Sequence, residues 1–121
     1  MLPAPHRLRE RRDFASVVRG PGSTRAGSRL LVVHATRTDA RAGCPPRVGF
    51  VVSRAVGNAV VRNRTKRRLR ALVAGRLGVV PSGVDLVVRA NPAAGAASSA
   101  ELGSALDALW LKVVGRFGGA V

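Results

Sequence analysis

Tyrosine is absent from this 121-residue sequence, cysteine occurs once, and the aromatic residues are three phenylalanines and one tryptophan. The lone Cys44 excludes an internal disulfide and fits a reducing cytosol. No apolar run approaches the ~18 residues of a membrane span, and the basic, proline-containing N-terminus has no apolar signal segment. A cytoplasmic protein with no membrane partner is therefore expected. Acidic residues are the other shortage, with six against 21 lysines and arginines. Glu10, Asp13, Asp39, Asp85, Glu101 and Asp107 are scattered along the chain and make no D-x-D or E-x-x-H pattern. A protein nuclease needs clustered carboxylates for metal ions, or a histidine paired with another acid–base group. Neither is present: His6 lies in an N-terminal arm and His34 in a strand pattern. A P-loop, zinc-ligand spacing and a serine elbow are also missing. The sequence therefore describes a binder, with no catalytic residue and no metal or cofactor motif of its own.

What is abundant is positive charge. The formal net charge is +15, which places the chain among binders of polyanions. Nineteen of the 21 cations are arginine, suited to bidentate contacts, although arginine and alanine richness also accompanies GC-rich coding. Hydrophobic residues make up 46%, too many for a disordered basic tail, so residues 1–121 read as one folded domain led by an extended arm, 1–9.

The charge is concentrated between Arg54 and Arg76, which hold seven arginines, one lysine and no acid. Val61, Leu69, Leu72 and Val73, with Thr65 between, fall on one face of a 3.6-residue repeat. Arg62, Lys66 and Arg70 stand four apart, as do Arg64 and Arg68. A helix with one apolar stripe and an otherwise positive surface repels itself unless an anion lies against it, and nucleic-acid phosphate matches that charge density.

Elsewhere, a short helix from Glu10 carries Phe14, Val17 and Val18 and is stopped by Gly20-Pro21-Gly22. Residues 20–28 read as a flexible loop. Ser28 to Thr36 reads as a strand with Leu31 and Val33 on one face and Leu30, Val32 and His34 on the other. Both faces being apolar, it is covered on both sides, or lines a groove on one. Arg47 to Arg54 is a second strand and Val84 to Ala90 a third. Ser98 and Glu101 form a capping box for a last helix, whose stripe runs from Leu102 through Trp110 to Phe117. Trp110, in mid-stripe, reads as core. The order α-β-β-α-β-α predicts an α/β sandwich.

The segment AVVRNRTKRRLR, Ala59 to Arg70, resembles the RNR signature of the protein subunit of bacterial ribonuclease P, with Gly57 and Asn58 before it as is common there. Arg12-Asp13-Phe14 with Val17-Val18, and Asn91-Pro92-Ala93-Ala94 after the third strand, extend the resemblance over residues 7–115. It implies an α+β two-layer sandwich with a mixed sheet of about four strands, three helices and a left-handed β-α-β crossover through the basic helix. Bottom-up rules would favour a right-handed one. It further implies that the chain binds a catalytic RNA through Arg62, Arg64, Lys66, Arg67, Arg68 and Arg70. The 5′ leader of precursor tRNA would lie in a groove lined by Phe14, Val18, His34, Arg54 and Asn63. The catalytic centre and its Mg2+ would then belong to the RNA, and no protein partner is evident. Three positions depart from the family pattern: Val18 and His34 replace common aromatics, and Arg54-Ala55 replaces a lysine pair. The alternatives are a basic ribosomal protein or RNA chaperone, and an autonomous nuclease, against which the dispersed acids speak.

Overall fold

The computed structural model describes residues 6–8, 10–20 and 22–117. Helix α1 (Arg11–Arg19) is followed by strands β1 (Thr24–Gly27), β2 (Leu31–Arg37) and β3 (Arg47–Val51). Helix α2 (Ala59–Ala74), strand β4 (Val84–Ala90) and helix α3 (Ser99–Gly115) complete the chain. The four strands form one mixed sheet in the order β1-β2-β4-β3. β1–β2 and β2–β4 are antiparallel, while β3 and β4 are parallel and joined through α2.

Strand alternation divides the buried residues between the two faces of the sheet. Leu31, Val33 and Ala35 of β2, Val48 of β3 and Leu86 and Val88 of β4 face the larger core, shared with Leu69 and Val73 of α2 and the stripe of α3. The opposite face carries a smaller cluster in which α1 sets Val17 against Val87 and Leu8, with Phe14, Val18 and Val51 at its edge. Burying Val17 contributes about 1.5–3 kcal/mol, the main hold on a nine-residue helix too short to persist alone. A second hold is ionic. Arg47 of β3 grips the buried Asp85 of β4 through Nε (3.0 Å) and Nη2 (2.7 Å), and reaches Asp13 of α1 at 3.5 Å. The Asp85 hydrogen bond raises the Arg47 pKa further, so this guanidinium stays charged at every working pH.

The two long helices begin as their sequences dictate. The Asn58 side chain accepts from Val61 N at 3.0 Å to cap α2. Ser98 Oγ accepts from Glu101 N while Glu101 accepts from Ser98 N, the reciprocal capping box of α3. Thr65, Leu69 and Val73 of α2 are buried, with Val61 and Leu72 half-buried at the stripe's margins. Thr65 satisfies its hydroxyl by donating to Val61 O. Trp110 is 3% exposed and its indole N–H donates to Arg76 O, so it is core.

Two expectations change. The segment expected to be a loop, 20–28, contains β1, a four-residue strand too short to show a period and formed by pairing with β2 from Thr24↔Ala35 to Gly27↔Val32. The second strand ends at Val51, not Arg54; Arg54–Val56 is a 3₁₀ turn that redirects the chain into α2. Residues 1–5 and 9 of the expected arm lie outside the described residues. Within it, Arg7 bridges Val48 in parallel register and Leu8 N donates to Val48 O.

Gly49 is required by close approach. A Cβ there would overlap the Phe14 ring and press on Leu8. Gly49→Ala is expected to lift Phe14 and α1 from the sheet and cost about 1–3 kcal/mol in urea unfolding, the usual penalty of overpacking. An unchanged midpoint would show that the ring can move aside freely.

Candidate nucleic-acid interface

The register places the residues of the α1 face in rows across the sheet. Arg25, His34, Val87 and Gly49 form one row, from β1 to β3, and α1 lies over it with Phe14 on Gly49 and Val17 on Val87. The row on the Asp13 side, Thr36, Asp85 and Arg47, holds the ion pairs. The row on the other side is Gly27, Val32, Arg89 and Val51. Here Val32 and Val51 are half-buried and Arg89 is exposed, so this strip is an open groove floor along the flank of α1. Phe14 and Val18, four apart on α1, stand toward that flank as its wall. Beyond Val51 the chain continues through Ser53 to the exposed Arg54.

His34, in the row beneath α1, is 6% exposed. Burial, then Arg25 and Arg89, hold its pKa below the usual 6.5, so the imidazole is neutral at pH 7.

The second surface is α2, which packs on the opposite face of the sheet. At ~100° per residue its cations divide around the buried stripe. Arg64 and Arg68 lie on one flank, where Arg64 Nη2 donates to Gly95 O (3.0 Å) and Arg68 Nη1 to Ala97 O (2.9 Å). These bonds hold the 3₁₀ turn Pro92–Ala96 against the helix, where Gly95 is needed because a Cβ would strike Val56 O. Arg64, Arg67 and Arg68 also line a shallow depression with Leu72 and Ser99. Lys66, Arg67 and Arg70 line another with Asn63 and Val60. Arg62, Lys66, Arg67 and Arg70 have no hydrogen bond or ion pair among the described residues.

The acids explain why α2 keeps its charge. Glu10 pairs with Arg12, Asp13 and Asp85 with Arg47, and Asp107 with Arg76, whose hydrogen bond lowers the Asp107 pKa. Glu101 is held in its capping box. None of these reaches a cation between Arg62 and Arg70. Among the described residues no three His, Cys, Asp or Glu side chains converge on a possible metal position. No described helix is long and apolar enough to cross a membrane.

The sequence matches the family described as Ribonuclease P over residues 2–114. The ribonuclease P protein component of Streptomyces bikiniensis is 53% identical over 121 aligned residues, covering 95% of this chain and 97% of that protein. The chain belongs to the ribonuclease P protein family. A relative of the same description from Streptomyces avermitilis is 52% identical, covering 99% of each chain. Among solved structures, the Staphylococcus aureus RNase P protein matches the fold with a TM-score of 0.78 at 23% identity, covering 90% of this chain and 97% of that one. The Thermotoga maritima RNase P protein gives 0.70 at 27% identity, covering 91% and 96%. Ribonuclease P membership assigns the chain to tRNA processing and makes RNA its partner class.

Of the residues that the ribonuclease P resemblance singled out, the structure sets Phe14 and Val18 beside the groove, buries His34 in the adjacent row beneath α1, and sets Arg54 past the end of the groove's β3 side. Asn63 lies one turn into α2, exposed beside Lys66, Arg67 and Arg70. Arg25 and Arg89 join the groove although sequence reasoning passed over both. For Arg89 the signal was available: it breaks the apolar run of Val84–Ala90 at a position alternating with Val87.

The division of cations gives a measurable contrast. Lys66→Ala with Arg70→Ala is expected to leave thermal stability undiminished while reducing the log–log salt slope of RNA binding by roughly 0.7–0.9 per lost phosphate contact. Arg64→Ala with Arg68→Ala should lower the melting temperature as well, because two backbone carbonyls lose their donors. Equal effects of both pairs on melting would remove the distinction. His34 gives a second test. Its folded pKa lies below the unfolded value, so the unfolded chain takes the proton first; stability is full above about pH 6.5 and falls as pH drops toward the folded value. An NMR titration midpoint for His34 at or above 6.5 would contradict the packing described.

Proposed function

We propose that this chain serves as the protein subunit of a ribonucleoprotein ribonuclease P, holding the catalytic RNA along α2 and the 5′ leader of precursor tRNA in the groove beside α1. The observation that carries this reading is the presence of two separate cationic surfaces on opposite faces of one sheet. One is an acid-free helix crown for a phosphate lattice; the other is a groove with a ring, valines and arginines. A single-stranded leader offers both a phosphate track and exposed base faces, and such a groove matches both. The rows of α2 suit a folded RNA, whose phosphates are spaced and fixed.

On this reading the chain contributes binding and orientation, while hydrolysis of the phosphodiester belongs to the RNA. Mg2+ would be held by the RNA and the substrate: the acidic side chains described above are engaged in ion pairs and a helix cap, and they do not converge into a magnesium site. Phe14 would supply the stacking platform, worth ~1–3 kcal/mol for one base, with Val18 adding only an apolar wall.

Reconstitution tests the proposal. The purified protein with a bacterial ribonuclease P RNA should stimulate leader removal at low magnesium and favour precursor over mature tRNA, and the protein alone should not cut. Cleavage by RNA-free protein would establish an autonomous nuclease instead. RNA binding without stimulation or precursor preference would indicate a general RNA chaperone.

A further inference from the structure

Arg89 sits in the middle of the groove floor, directly opposite Val32 on one side and Val51 on the other. It is exposed, and among the described residues it has no hydrogen bond or ion pair. Within the floor row Gly27, Val32, Arg89 and Val51 it is the one cation. The remaining positive charges of the groove lie at its margins, Arg25 on the edge strand and Arg54 past the end of β3.

This arrangement separates two kinds of contact. A single strand lying in a groove with an apolar floor turns its bases inward, where the valines and Phe14 desolvate them, and leaves its phosphates at the rims. Rim cations then meet phosphate. A floor cation meets a base edge. The Arg89 stem rises between two β-branched neighbours in register, and among the described residues its planar fork of donors has no acceptor. The base edge that matches such a fork is the O6/N7 pair of guanine, two acceptors side by side. Adenine presents a donor at the corresponding exocyclic position and is repelled. The neighbouring His34 is neutral and so does not compete as a second cation.

Resting on the reading that the groove takes the leader, we infer that Arg89 is a specificity-determining residue that selects guanine at one leader position by donating to its O6 and N7. The chain thus carries a sequence preference for its substrate's leader, superimposed on sequence-tolerant stacking at Phe14.

The test uses the reconstituted holoenzyme and precursor tRNAs whose leader positions are varied singly. One position should favour guanine over adenine by ~5- to 150-fold in Kd. At that position inosine, which keeps O6 and N7, should bind like guanine, and 7-deazaguanine, which lacks N7, should bind less tightly. Arg89→Ala should abolish the preference there and leave the other positions unchanged. Arg89→Gln, which keeps most of the side chain's length, should also lose the guanine preference if the alanine variant fails to fold. Equal weakening of all leaders by either variant would make Arg89 a phosphate contact and overturn the inference. A wild-type holoenzyme without guanine preference at any position would overturn it too. Loss of preference for precursor over mature tRNA in the wild type would instead refute the leader-groove reading beneath it.

Discussion

β3 and β4 run side by side in the same direction, and no tight turn can join two such strands. The chain must leave the sheet, cross one face and return, and α2 is what it builds on the way. That constraint places the most basic segment of the molecule on the face away from α1. Its stripe of Thr65, Leu69 and Val73 is then buried against the sheet, with the cations turned outward and sideways. The face left free is taken by α1, which is too short to cover every row. The row that it leaves open becomes the groove. Two binding surfaces thus arise from one connection.

The unequal charge balance reinforces this division. With so few carboxylates available, Glu10, Asp13, Asp85 and Asp107 close ion pairs and Glu101 caps a helix: Arg47 with Asp85 and Asp13 fastens α1, and Arg76 with Asp107 fastens α3 beside the end of α2. Among the described residues, the cations of α2 are left without an acidic partner. Their mutual repulsion persists in the free protein and is relieved by bound polyanion, which links binding of RNA to the stability of the fold.

Long amphipathic elements were legible in the sequence. The stripe of α2, the capping box of α3 and the core placement of Trp110 follow from periodicity and cap chemistry, which are local. β1 was not legible, because Thr-Arg-Ala-Gly has neither the length nor the alternation of a strand and becomes one only by pairing with β2. The groove was legible in part. Phe14 and His34 entered through family resemblance, whereas Arg89 depends on cross-strand register, which brings Val32, Arg89 and Val51 together from three strands distant in sequence. The split of the α2 cations into carbonyl-bound Arg64 and Arg68 and unpaired Lys66, Arg67 and Arg70 depends on where the Pro92–Ala96 turn docks, which helical spacing cannot reveal.

The bridge from Arg7 to Val48 has a consequence for association. β3 is an outer strand of the sheet, and an uncovered outer strand invites pairing with another chain. Leu8 N occupies Val48 O, so the N-terminal segment blocks that edge in cis. At the other border β1 is only four residues long, and Arg116 bonds to the Thr24 hydroxyl and the Arg25 carbonyl. Self-assembly by strand addition is thereby discouraged at both borders, leaving side-chain surfaces as the route to partners. The same blocking segment sets Leu8 against Gly49 beneath Phe14, so a substitution at Leu8 acts directly on the groove wall.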